Sequence, residues 1–199
     1  MSRIIIFGDS NSYGTGLDNP ATENYGYHLG KLTNKETITK AIPGSSNTRI
    51  AYEMLNFEFE PDDIVLIGWT YTCREMLATS EHNVTNFGAW IDSKVDINRA
   101  WLEYFSDEHD LAIKSFMHMH HINTYLKSKN LKYIQFWFEE LQETFDLKTQ
   151  YDWADSVKMD FDLLSEIQHV DLTHCNHPGP KSHKLAAEYI YNKFKDTFE

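Results

Sequence analysis

Cysteine is scarce in this chain of 199 residues: there are two, Cys73 and Cys175, and no C-x-x-C pair. That argues against a disulfide-built scaffold and against a zinc site held by cysteine. Positive charge is also short, with 18 Lys and Arg against 30 Asp and Glu and a formal net charge of −12. Such an acidic chain is a poor match for nucleic-acid backbones and for anionic membrane surfaces. No apolar run approaches the ~18 residues of a transmembrane helix. Neither G-x-x-x-x-G-K nor G-x-G-x-x-G occurs, which removes the usual phosphate cradles of nucleotide binders. Internal repeats, low-complexity tracts and linkers rich in Pro, Gly or Ser are missing as well, so one domain over 1–199 is expected. Met1-Ser2-Arg3 leads directly into Ile4-Ile5-Ile6-Phe7, which Gly8-Asp9 cuts short. That run reads as a strand rather than a signal peptide, and a cytoplasmic protein is expected.

What is present is an alternation of short apolar runs and helical stretches. Ile4 to Phe7, Thr37 to Ala41, Ile64 to Ile67, Tyr133 to Phe138 and a segment near Ile167 to Leu172 have strand length. Near-continuous apolar strands imply burial on both faces, hence a parallel sheet of about five strands covered by helices. Helices are expected from Thr48 to about Phe57 with Asn47 as cap, from Asp110 to Lys129, and from Pro180 to about Phe194. On the second of these, Ile113, Phe116, Met117 and His120 fall on one face. This is an α/β, three-layer pattern. Thr79 to Arg99 and Gln142 to Leu164 fit it poorly and are expected to be inserted loops or lids.

In open parallel sheets, sites form at the carboxyl ends of the strands. Each apolar run here ends in a cluster with small or polar residues: Gly8-Asp9-Ser10, Pro43-Gly44-Ser45-Ser46-Asn47, Gly68-Trp69-Thr70, Trp137-Phe138-Glu139-Glu140, and the stretch Asp171 to Pro178. Acyl transfer needs a nucleophile beside a base, N–H donors aimed at a developing oxyanion, and a group that orients the base. Ser10 after a Gly-Asp turn suits the first role. Its own N–H and that of Gly44 suit the second, and a histidine on the last loop completes a proton path.

These residues, in this order, resemble the SGNH (GDSL-type) hydrolases. Gly8-Asp9-Ser10 is similar to the family's first block, Pro43-Gly44 to the glycine of the second, and Gly68-Trp69-Thr70 stands where the third carries Gly-x-Asn. His177-Pro178, followed by His183 and Lys184 to Glu188, is similar to the histidine block and the helix after it. Ile67 to Thr70 with Arg74-Glu75 downstream is most similar to members from phages and their bacterial hosts. The resemblance implies a flavodoxin-like sandwich, no metal or other cofactor, and hydrolysis of an O-acetyl or other small acyl ester on a small molecule or glycan. It implies Ser10 as nucleophile and oxyanion donor, Gly44 as second donor and His177 as general base.

Two positions depart from the family pattern. Thr70 replaces the asparagine that serves as third oxyanion donor; its hydroxyl is a candidate donor to the oxyanion but is shorter and placed differently, and losing one such donor typically costs ~10²–10³-fold in kcat. The acid expected three residues before the histidine is His174. A neutral imidazole can orient His177 but stabilises the imidazolium less than a carboxylate does. Asp171 and His174 form a competing Asp-x-x-His register, and Asp171 is an alternative partner for the base. Both departures motivate a second reading, a catalytically weakened carbohydrate-binding or assembly module. Trp69 is placed to line the pocket, whereas Trp90, Trp137 and Trp153 read first as core. Glu139-Glu140 reads as a solvated helix start. His118 and His121 share a helical face without a carboxylate or cysteine at ligand spacing, so no metal site is expected there.

Overall fold

The computed structural model describes residues 2–80, 83–87, 99–101, 103, 107–137, 159–163 and 170–199. In chain order these form β1 (Arg3–Phe7), α1 (Ser10–Tyr13), α2 (Pro20–Glu23), α3 (Tyr25–Thr33), β2 (Glu36–Thr39), α4 (Asn47–Leu55) and β3 (Ile64–Trp69). There follow β4 (Glu75–Ser80), β5 (Asn83–Phe87), α5 (Glu108–Ser128), β6 (Lys132–Trp137), β7 (Phe161–Asp162), α6 (Pro180–Lys193) and α7 (Lys195–Phe198).

Five strands make one sheet in the order β2-β1-β3-β6-β7, with every neighbouring pair parallel. The alternation of side chains along β1 and β3 decides the layers. Ile5, Phe7, Val65, Ile67 and Trp69 point to one face, against Ile50 and Met54 of α4 and Phe116, Met119 and Ile122 of α5. Ile4, Ile6, Ile64 and Leu66 point to the other, against Tyr25 and Leu29 of α3 and Ala186, Ala187 and Ile190 of α6. The result is the expected helix–sheet–helix sandwich. Arg3 fastens the amino ends of β1 and β3 by a two-pronged bond to the buried Asp63, with Nε to Oδ1 at 2.9 Å and Nη2 to Oδ2 at 2.7 Å.

Several elements differ from the sequence expectation. The fifth strand of the sheet is Phe161–Asp162, paired with β6; of the segment expected from Ile167 to Leu172, residues 167–169 lie outside the described residues and Leu172 makes an isolated bridge to Pro178. Ser46, not Asn47, caps α4 by accepting the Arg49 N–H, because Asn47 is already the first helical residue. The buried stripe of α5 runs through Ala112, Phe116, Met119, Ile122 and Leu126, which leaves Met117 exposed. Part of the stretch from Thr79 to Arg99 pairs as the antiparallel hairpin β4–β5. Trp90, Glu139, Glu140, Trp153 and 142–158 lie outside the described residues. Among the described residues, no helix is long and apolar enough to cross a membrane.

The chain leaves β1 for β2 on one side and then returns to β3 on the other. The crevice at the carboxyl ends of β1 and β3 is therefore a topological switch point, where ligands bind in open α/β sheets. The loops after β1, β2 and β3 meet there.

Candidate active site

Ser10 is the first residue of α1 and is buried. Asp9 caps that helix, its Oδ1 accepting the Asn11 N–H at 2.9 Å. In this position Ser10 carries a main-chain N–H that the helix does not use. Gly44, the other sequence candidate for an oxyanion donor, lies in the loop after β2. Pro43 and Gly44 are the central residues of a turn closed by Ser45 N–H to Ile42 O at 3.1 Å. Gly44 has φ of 75°, the conformation that the third position of a type II turn requires and that glycine adopts without strain.

Between these two loops lies a buried polar cluster. Asp9 is 1% exposed and Thr70, just after β3, is 4% exposed. Thr70 Oγ1 donates to Asp9 Oδ2 at 2.7 Å. Arg74 Nη1 donates to the same Oδ2 at 2.9 Å and to Thr70 Oγ1 at 2.8 Å. A guanidinium has only donors and an ionised carboxylate only acceptors, so the single Thr70 proton lies toward Asp9. The expectation that Thr70 turns its hydroxyl to an oxyanion does not match this arrangement. The Thr70 main chain is held as well: Asn47 Nδ2 donates to its carbonyl and Asn47 Oδ1 accepts its N–H, each at 2.9 Å.

Trp69 is the clearest correction. It is fully buried, and its Nε1 donates to Gln135 Oε1 at 3.1 Å. The alternation along β3 sends it to the same core face as Val65 and Ile67, so its ring presents nothing to a ligand.

The histidine loop is closed by its own main chain. Thr173 N–H donates to His177 O at 2.8 Å and Asn176 N–H to Thr173 O at 3.1 Å. Thr173 Oγ1 accepts the His177 N–H at 3.2 Å. His177 Nδ1 lies 3.2 Å from Cys175 O and 3.3 Å from Cys175 Sγ. A carbonyl oxygen can only accept, so in the Nδ1–H tautomer the ring donates to Cys175 O and Nε2 is left with its lone pair. This loop lies against the one that follows α1. At Gly16, φ is 85°, and a Cβ there would meet Thr173 Oγ1 at 2.5 Å and Cys175 Sγ at 2.6 Å. No hydrogen bond joins Ser10 to His177 in this structure; catalytic hydrogen bonds are often long before substrate binds.

Neither sequence candidate for the acid reaches the imidazole. His174 is exposed, and no hydrogen bond links it to His177. Asp171 turns the other way, to the amino end of α6. Its Oδ2 accepts the Lys181 N–H at 3.0 Å, and its Oδ1 accepts the Ser182 N–H and hydroxyl, each at 2.8 Å. Burial alone would raise this carboxyl, but the donors from Lys181 and Ser182 outweigh it and hold it below the ordinary carboxylate value. His183 is also structural: its Nδ1 accepts the Tyr25 N–H at 3.1 Å and its ring stacks on Tyr25. Burial pushes the Tyr25 phenol well up, and it donates to Ser12 Oγ at 3.1 Å.

Sequence reasoning missed the roles of Asn47 and Arg74, whose partners come from distant loops. Arg74 had been visible only as part of a motif. A cavity of about 470 Å³ lies beside α1, lined by Tyr13, Asn19, Asn24, Tyr27, Thr37 and Thr39 among others. Another, of about 580 Å³, lies at the amino ends of the strands, by Asp63 and Lys132, remote from Ser10. Among the described residues, no group of three or more His, Cys, Asp or Glu is placed to hold a metal ion.

No protein-family model and no curated protein sequence matches the chain. Solved structures do. A protein from Desulfitobacterium hafniense, described as lipolytic and of the G-D-S-L family, superposes with a TM-score of 0.60 at 12% identity, over 96% of this chain and 99% of that one. The esterase EstA from Pseudoalteromonas gives 0.61 at 14% identity, over 98% and 97%. The acetyl xylan esterase Est2A from the rumen bacterium Butyrivibrio proteoclasticus gives 0.58 at 14%, over 97% of this chain and 64% of its own. With Ser10 opening α1 after the first strand of a 2-1-3-6-7 parallel sheet and Gly44 in the turn after the second, the chain has the fold of the G-D-S-L-type lipolytic proteins and esterases.

Proposed function

We propose that this chain is a serine ester hydrolase of the SGNH type. One observation carries the reading. The loop of His177 packs on Gly16, just beyond the helix that Ser10 begins, and the imidazole is turned so that Nδ1 faces Cys175 O.

In this reading His177 Nε2 takes the Ser10 hydroxyl proton as Ser10 Oγ bonds to the ester carbonyl carbon. The amides of Ser10 and Gly44 hold the oxyanion. The intermediate collapses, and the alcohol leaves with the proton from His177. Water then repeats the sequence on the acyl-serine and releases the carboxylic acid. The Cys175 carbonyl orients the base and accepts from its Nδ1, a role that a carboxylate fills in the Ser-His-Asp arrangement. A neutral carbonyl stabilises the imidazolium less, so slow turnover is expected.

The neutral cavity beside α1 is lined by none of Ser10, Gly44 or His177, so the substrate class rests on the fold's relatives, and a glycan or small molecule bearing an O-acetyl or other small acyl group is the substrate of this reading. Est2A, of the same fold, is an acetyl xylan esterase by name.

The test is intact-mass analysis after treatment with a fluorophosphonate. EstA offers a precedent, since it was solved inhibited by monoethylphosphonate. The expected result is one adduct on Ser10, absent from Ser10→Ala, whose fold is unchanged. Well-folded protein that takes no adduct would overturn the reading. It would favour the second one, a glycan-binding module. That alternative is motivated by the exposed His174 and by the Thr70 proton already held by Asp9.

A further inference from the structure

Arg74 touches every loop that builds the nucleophile's side of the site. Its Nη1 donates to Asp9 Oδ2, on the residue before Ser10, and to Thr70 Oγ1 after β3. The same nitrogen approaches Ser45 O, on the residue after Gly44, at 3.5 Å. Its guanidinium lies over the Tyr71 ring, 4.9 Å from the centroid, and its side chain is only 12% exposed. The two short bonds use both protons of Nη1. Thr70 Oγ1 must accept one of them, so its own proton is directed to Asp9. One planar cation thereby fixes the hydroxyl rotor of Thr70, neutralises a buried carboxylate and braces the loops that carry the two candidate oxyanion amides.

Resting on the esterase reading above, we propose that Arg74 is the positioning residue of the oxyanion hole. It acts through Asp9 and Thr70 and not by touching substrate. Where a third side-chain donor would stabilise the oxyanion directly, this chain uses an Asp9–Thr70–Arg74 bridge to hold the two main-chain donors rigid. Preorganisation of this kind matters because displacement of a reacting group by about 1 Å can cost ~10²-fold in rate. Lysine is a poor substitute. Its ammonium is a point charge without the planar fork, and it stacks less well on Tyr71.

The experiment compares fluorophosphonate labelling rates, and kcat and KM on p-nitrophenyl acetate, for the wild type, Ser10→Ala, Arg74→Ala and Thr70→Val. Circular dichroism establishes that each is folded. Arg74→Ala should label roughly ten- to a hundredfold more slowly, with the loss in kcat and KM little changed. Guanidinium ion added at tens of millimolar should restore much of the rate, and methylammonium should not. Thr70→Val breaks the same bridge while keeping the cation, so it should show a loss of similar size. The Arg74→Ala/Thr70→Val double variant should be little worse than either alone. If Arg74→Ala does not fold, Thr70→Val carries the test. The proposal is overturned by folded variants that label at the wild-type rate, by a loss that guanidinium leaves untouched, or by losses that add in full. Labelling of the wild type but not of Ser10→Ala would then leave the esterase reading standing. A wild type that takes no label overturns both.

Discussion

The two halves of the candidate site are built differently. On the side of Ser10, the proposed nucleophile, Asp9, Ser45, Asn47 and Thr70 are all less than 5% exposed. They are tied to one another and to Arg74 by side-chain hydrogen bonds, most of which span 23 to 65 residues of sequence. On the side of His177, the proposed base, Thr173, Cys175 and His177 are half-buried, His174 and Asn176 are exposed, and the loop is bonded chiefly to itself. The first half is positioned by the fold and the second by local turn geometry. Changes on the nucleophile's side should therefore propagate between loops. Changes in the histidine loop should stay local unless they strike the imidazole itself.

The sharpest use of that contrast is His177→Ala. Under the proposed reading it removes the general base, a role worth ~10²–10⁴-fold. The melting temperature should barely move, because the side chain is half-exposed and bonds only within its own loop. Steady-state kinetics on p-nitrophenyl acetate, with a melting curve on the same sample, tests both halves of the expectation. A variant that melts far lower would mean the loop is part of the fold's framework, and the contrast would fail.

The sequence exposes the nucleophile's side better than the base's, for physical reasons. Apolar runs and turn chemistry are local, so four of the five sheet strands were legible. So were the helix after Pro180 and the Pro43–Gly44 turn. Hydrogen bonds between distant loops leave no spacing to read. Nothing in the order Gly68-Trp69-Thr70 reveals that the Thr70 proton is held by Asp9, or that Asn47 grips the Thr70 main chain. Trp69 looked like pocket lining because it sits at a strand end, whereas the two-residue period of β3 commits it to the core. β7 was missed because a strand of two residues carries no periodicity. In the last loop, the Asp171-x-x-His174 pattern suggested a carboxylate–imidazole pair. The chain instead uses Asp171 to close the amino end of α6, an end whose preceding residue, Gly179, has no side chain to do so.

Asp171 gives a second, smaller test. Replacing a capping carboxylate by alanine costs about 1 kcal/mol, or roughly 2–4 °C in a chain of this size. The sign of its pH dependence follows from a folded carboxyl held below its ordinary value. Its stabilising contribution is complete above the unfolded carboxylate value and disappears as pH falls through the lower folded value. Asp171→Ala should thus melt below the wild type at neutral pH, and the two curves should converge in strong acid. Its kcat at neutral pH should stay close to that of the wild type. A large loss of kcat with no thermal penalty would instead make Asp171 the partner of the base and would move it from the framework into the chemistry.

His174→Ala should do least of all. The side chain is exposed and joined to His177 by no hydrogen bond, and surface substitutions of this kind usually change stability by no more than about 0.5 kcal/mol. Because the Cys175 carbonyl already faces His177 Nδ1, kcat should stay within about twofold and its pH profile should not shift. The prediction is informative because His174 stands where the SGNH pattern has its acid. A tenfold fall in kcat, with a displaced pH profile and an unchanged melting curve, would mean that the loop closes in the substrate complex and brings His174 to the base. The base's side would then be organised by substrate rather than by its own main chain, while the nucleophile's side stays fixed beforehand by Asp9, Thr70 and Arg74.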